Sequence, residues 1–152
     1  MELVVTLAVA AVLLTMAVPS FSRMIASHRI RRAADELQMA LITARSEAVK
    51  RNGDVRVVAT GSGTGAWNSG WTVELADDSV VSRYDPLTNI SIGEANTLST
   101  LTYRPDGRLS GATAPKFTIS ATGAVATATK CLYVGLSGMP YYAQASNDGT
   151  CP

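Results

Sequence analysis

From Leu3 to Val18 the chain carries no charged side chain, and only Thr6 and Thr15 are polar. A helix on a protein surface hides one stripe and leaves the rest to water; a segment apolar on every side must be buried on every side. Sixteen helical residues span about 24 Å, short of the roughly 30 Å hydrocarbon core of a bilayer. Three readings compete. A cleavable signal peptide opens with positive residues, whereas Met1-Glu2 supplies an acid. A buried core helix is normally apolar along one face. A membrane helix, a few residues short at its N-terminal end, fits the run best. Glu2 stands at the edge of the run as a lone acid, costly beside lipid unless something neutralises it. Pro19 closes the run, removes a helical hydrogen bond and favours a kink.

The helical pattern continues beyond the proline. Ile30, Ala34, Leu37, Leu41, Ala44 and Ala48 recur at alternating spacings of four and three, which places them on one helix face. Arg31–Asp35, Arg32–Glu36 and Glu47–Arg51 are opposite charges four apart on the other sides, and Asn52-Gly53 is a helix stop. The whole helical stretch approaches 50 residues, roughly 75 Å if straight. A small domain cannot cover that length, so much of the stem projects and is buried by lipid or by partner chains.

Charge follows the same division. Residues 1–22 hold only Glu2; residues 23–52 hold seven Arg or Lys against three acids; residues 53–152 hold six basic and eight acidic groups. The chain reads as an apolar tip (1–22), a basic amphipathic stalk (23–52) and a mildly acidic body (53–152). Arg29, Arg31 and Arg32 invite an anionic partner, but acids follow at once and a solvated face is the simpler reading.

After Gly53 the period changes. "DVRVVAT", "GWTVELA", "SVVSRY", "STLTYR", "KFTIS" and "CLYVG" are short β-branched or aromatic stretches separated by Gly, Asp, Asn and Ser. Asp77-Asp78 and Pro105-Asp106-Gly107 are turn signals. Six or seven strands after one long helix predict an α+β fold, the helix packed on an antiparallel sheet or small sandwich. Trp67, Trp71, Tyr103 and Phe117 are expected to pack in the core or at its rim rather than to form a ligand cage.

Little of this supports catalysis. "TGSGTGAWNSGW" lacks the Lys-Ser/Thr ending and following helix of a phosphate loop, and reads as a flexible turn. His28, the only histidine, lies on the stalk, away from the strands a Ser–His–Asp site would need. One histidine and two distant cysteines make no zinc site, and no acid pair stands out for acid–base work. The expectation is no enzyme, no metal and no cofactor. Cys131 and Cys151 suggest a disulfide in an exported chain and free thiols in a cytosolic one. Closing that loop is worth roughly 3 kcal/mol in the chain-entropy model.

Three stretches together resemble the type IV pilin-like proteins, and within them the GspH/FimT group of minor pilins and pseudopilins, which includes FimU-like members. "ELVVTLAVAAVLLTMAVPSF" resembles the mature N-terminal pilin helix. "LQMALITARSEAVKRNGDVRVV" followed by "WNSGWTVELAD" resembles the group's most specific block, and "LTYRPDGRL" with Cys131 and Cys151 resembles its late strands. The resemblance implies a single-pass protein of the bacterial inner membrane with a periplasmic body, present also in a pilus or pseudopilus, at its tip. Implied partners are other minor and major pilins, the inner-membrane assembly platform, membrane lipid and, for a precursor, prepilin peptidase. Met1 directly precedes Glu2, so neither the leader nor the cleavage junction of a pilin precursor is read here.

The resemblance also gives Glu2 a role: pairing with the N-terminal amine of a neighbouring subunit during assembly, since a buried charge is tolerated when paired. Members associated with DNA uptake carry a late Gly-Arg-x-Arg motif. Here Gly138 is kept, but Met139 and Tyr141 stand at the two arginine positions. The residual candidates for DNA contact are Arg104, Arg108, Lys116 and Lys130, with Tyr141 and Tyr142 as stacking platforms. The implied function is a minor pilin of the tip or priming complex. The alternatives are a DNA receptor for natural transformation and a minor pseudopilin of type II secretion.

Overall fold

The computed structural model describes residues 2–122, 129–146 and 149–152, with the backbone alone for Glu2 and residues 8–20. One helix, α1 (Glu2–Arg51), precedes eight strands among the described residues. These are β1 (Val55–Ala59), β2 (Trp71–Leu75), β3 (Val80–Tyr84), β4 (Ile90–Glu94), β5 (Thr100–Tyr103), β6 (Lys116–Ala121), β7 (Thr129–Val134) and β8 (Pro140–Ala143). They form two four-stranded sheets, ordered β3-β2-β1-β5 and β4-β6-β7-β8, with every pairing antiparallel.

The helix serves both sheets. Among its described side chains the first buried one is Ile30, and from there Ala33, Ala34, Leu37, Ala40, Leu41, Ala44 and Ala48 are all fully buried. Five of these eight are alanines, so the strands approach the helix closely at little cost in side-chain entropy. Strands of both sheets pack on this face. Above Ile30 the described side chains, residues 3–7 and 21–29, are exposed or half-buried. Arg51 ends the helix. Asn52 takes a positive φ of 51°, and the Gly53 N–H donates back to the Ala48 carbonyl at 3.2 Å, satisfying the last turn.

All six strands legible in the sequence are present, and two more join them. β4 and β8 were missed because "ISIGE" carries a glycine and "PYYA" opens on a proline. The expected antiparallel β body packed on one long helix is present, built as two four-stranded sheets. Two expectations are corrected. The Arg31–Asp35 helix pair gives way to a long-range contact, in which the Tyr142 hydroxyl donates to Asp35 at 2.7 Å. Arg32–Glu36 and Arg51–Glu47 form as expected, at 2.8 and 2.6 Å.

The second correction concerns the glycine-rich stretch. Gly63–Ser69 folds as a short 3-10 helix. Its Trp67 is buried, meets Phe117 of β6 edge-on at 5.0 Å and donates from Nε1 to the Leu98 carbonyl at 2.8 Å. Asn68 accepts from the Ile92 N–H at 2.6 Å. An indole seeking burial organises the loop into a rivet between the sheets.

Two other contacts tie the body together. Glu94 is buried, and its carboxylate accepts from the backbone N–H groups of Asn96 (2.9 Å), Leu98 (2.7 Å) and Lys116 (3.3 Å). It fastens the β4–β5 loop to the start of β6. At the far end, the turn 135–138 rests on the turn 104–107. Gly138 has a φ of +83°, and a Cβ built there would collide with the Gly107 carbonyl. The same carbonyl accepts from Arg45 Nε on the helix at 2.9 Å. Cys131 and Cys151 form a disulfide with Cα atoms 5.6 Å apart, which holds the C-terminal segment on the outer face of β7.

Glu94→Ala leaves three part-buried backbone N–H donors without their acceptor and should cost about 2 kcal/mol. Urea unfolding followed by the fluorescence of the buried Trp67 and Trp71 reads it, and a loss below about 1 kcal/mol contradicts the assignment. Gly138→Ala should lose about 2–4 kcal/mol from strain and collision together; wild-type stability would show that the two turns are not in contact.

Candidate functional site

Helix α1 offers two different surfaces. At its N-terminal end the side chains of Glu2 and Pro19 lie outside the described residues, and so do those of residues 8–20 in the apolar run. Among the described residues no helix is long and apolar enough to cross a membrane. The face turned away from the sheets is described from Phe21 onward. Phe21, Met24, Met39, Ile42 and Val49 are exposed along it.

The four basic residues expected to contact DNA are dispersed. Arg104 and Arg108 flank the turn after β5, where the Arg104 N–H donates to the Arg108 carbonyl at 2.9 Å; both side chains are exposed. Lys116 pairs across the sheet with Tyr133. Its ammonium lies 5.2 Å from that ring's centroid and donates to the Pro152 carbonyl at 3.3 Å, and the Tyr133 hydroxyl donates to the same carbonyl. Lys130 alternates with Leu132 and Val134 and points to the helix side, opposite to Lys116. Its ammonium sits 4.7 Å from the centroid of Tyr142. The two lysines thus occupy opposite faces of one sheet, each engaged with a tyrosine. Arg104 and Arg108 alone share a surface.

Tyr141 and Tyr142 also part company. Tyr141 lies on the outer face, edge-on to Tyr133 at 5.8 Å. Tyr142 is the tether to Asp35. Burial, then the Asp35 carboxylate, raises its pKa above the ordinary value of 10.0. A raised tyrosine pKa means that this contribution is intact below that ordinary value and is lost only as pH climbs past it. Burial pushes the Tyr103 hydroxyl up against the opposing pull of the Arg45 charge, and that hydroxyl meets no hydrogen-bond partner.

Among the described residues, two large grooves run along the helix. The first, about 590 Å3, is lined by His28, Arg31, Arg32, Asp35, Glu36, Met39 and Tyr84. Its two acids and two arginines balance, and it has no serine or cysteine beside His28 to act as a nucleophile. The second, about 570 Å3, is lined by Ile42, Arg45, Ser46, Val49, Lys50 and Met139. It exists because the Gly107–Gly138 contact brings the turn carrying Met139 against the helix. Sequence reasoning missed it; exposed apolar residues at positions 42 and 49, seven apart, were the available signal. Among the described residues no group of three or more His, Cys, Asp or Glu is placed to hold a metal ion.

The arrangement of a helix entering a two-sheet body has counterparts among solved structures. Two crystal forms of the type IV minor pilin FimU from Pseudomonas aeruginosa strain PAO1 superpose on this chain. One gives a TM-score of 0.67 at 23% identity, covering 78% of this chain and 90% of that one. The other gives 0.64 at 25% identity, covering 75% and 92%. No curated protein sequence gives a significant match. The family model described as type II transport protein GspH matches residues 33–138, from the buried helix face to the glycine that seats the second groove. The chain therefore belongs to the GspH family and is a GspH/FimT-like minor pilin or pseudopilin, a structural protein rather than an enzyme.

Proposed function

We propose that this chain is a minor pilin that inserts in the bacterial inner membrane through the apolar part of α1 and joins the tip or priming complex of a type IV pilus. The observation that carries this reading is the division of labour along one continuous helix. From Ile30 to Ala48 it is the core of the body, while the described side chains above it are exposed or at most half-buried. Exposed Phe21, Met24 and Ile25 need lipid or neighbouring helices to remove them from water. The likeness to FimU, named as a type IV minor pilin, favours the pilus. The family description, a type II transport protein, favours the second reading, a minor pseudopilin of a secretion system.

Both readings place the same demand on Glu2, whose carboxylate neutralises the amine of an adjacent subunit in an apolar bundle. A DNA receptor would instead need the basic groups of the body to converge, and the positions of Lys116 and Lys130 give that reading no support.

Glu2→Ala should leave the chain in the membrane with its Cys131–Cys151 bond formed, yet lower its recovery in sheared filaments at least tenfold. In the pilus reading surface pili fall in number; in the secretion reading exoprotein release falls while pili persist. Incorporation at the wild-type level contradicts the pairing role.

A further inference from the structure

The groove between the helix and the β7–β8 turn has an apolar floor and a cationic rim. Ile42, Val49 and Met139 are 42%, 53% and 52% exposed, a cluster of large apolar side chains left to water at one place. Arg45 and Lys50 stand among them. The turn carrying exposed Arg104 and Arg108 adjoins, because a Cβ on its Gly107 would lie 3.1 Å from Val49 Cγ2 and 3.3 Å from Arg45 Nε. The acids nearby, Glu47 and Asp106, are outnumbered by Arg45, Lys50, Arg51, Arg104 and Arg108. Glu47 binds Arg51 at 2.6 Å and Lys50 at 3.6 Å, and the Asp106 carboxylate accepts from the Arg108 N–H at 3.0 Å. The rim therefore carries an excess of positive charge, whereas the larger groove around His28 has balanced charges and selects neither sign.

We infer that this groove docks an acidic segment of a neighbouring filament subunit, apolar side chains on Ile42, Val49 and Met139 and carboxylates against Arg45, Lys50, Arg104 and Arg108. The inference rests on the proposed assembly role and adds the surface and the chemistry of the partner. Charge complementarity selects an acidic occupant. The floor selects a peptide over a nucleic acid. A thioether and two branched aliphatic side chains bury apolar anchors and adapt to their shape, but present no flat ring on which bases stack. Arg45 already spends one donor on the Gly107 carbonyl, so it is held in place before a partner arrives.

The test is photo-crosslinking in cells that assemble the filament, with benzoylphenylalanine replacing Ser46, an exposed groove residue, in the full-length chain. The expected product is an adduct with another pilin-like subunit, its crosslinked peptide identified by mass spectrometry and rich in Asp and Glu beside apolar residues. Charge reversal at Lys50→Glu, Arg104→Glu and Arg108→Glu together should lower the yield about tenfold, with the chain at normal level and its disulfide formed. Ile42→Ala with Met139→Ala, which leaves every rim charge in place, should lower it at least threefold. An adduct with nucleic acid, a pilin adduct indifferent to both sets of changes, or no adduct while filaments still incorporate the chain overturns the inference. Failure of the assembly role itself looks different: the chain is then missing from filaments and the adduct is with no pilin-like subunit.

Discussion

Everything in this fold depends on how closely two sheets can approach one helix. Between Ile30 and Ala48 the buried face is mostly alanine, with Ile30, Leu37 and Leu41 as the larger side chains. A face of leucines would hold the sheets further off, and the links between them would open. Trp67 reaches Phe117 across the gap, Glu94 spans from the β4–β5 loop to β6, and Gly138 settles on Gly107. Each of these is a short-range contact that tolerates little displacement. The helix is thus a core element first and a stem second.

The same packing decides which surfaces remain for other molecules. Wrapping both sheets around one side of the helix leaves its opposite side uncovered, and that side keeps Met39, Ile42 and Val49 in water. The turn after β7 adds Met139, and the turn after β5 adds two arginines. Tyr142 and Asp35 fix the β8 edge to the helix, so the position of this surface is set by the body and not by a mobile loop. The body is thus rigid and presents uncovered helix and grooves in a fixed relation to one another.

Much of this was legible in the sequence where the signal is local. Ile30, Ala34, Leu37, Leu41, Ala44 and Ala48 announced their common face by spacing alone, and all six are buried. Asn52-Gly53 stops the helix, Asp77-Asp78 and Pro105-Asp106-Gly107 make turns, and the two cysteines join. What was hidden depends on partners distant in the chain. Nothing near Asp35 shows that Tyr142, 107 residues later, displaces Arg31 as its partner. Nothing near Glu94 marks it as a buried acceptor rather than a solvated acid, because its donors are backbone groups. Lys116 and Lys130 look equivalent in sequence and face opposite ways only through the strand register. The groove at Met139 needs two turns and a helix to meet.

Ile30–Ala48 belongs to the body's cooperative core, whereas the described helix residues 21–29 do not. Amide hydrogen exchange of the full-length chain in detergent micelles tests this directly. Amides from Leu37 to Ala48 should exchange as slowly as those of β1, β6 and β7, and all should be lost together in one unfolding event. Fast, independent exchange along Leu37–Ala48 beside protected strands would contradict it, and would make the helix a detachable stalk on a body that stands alone.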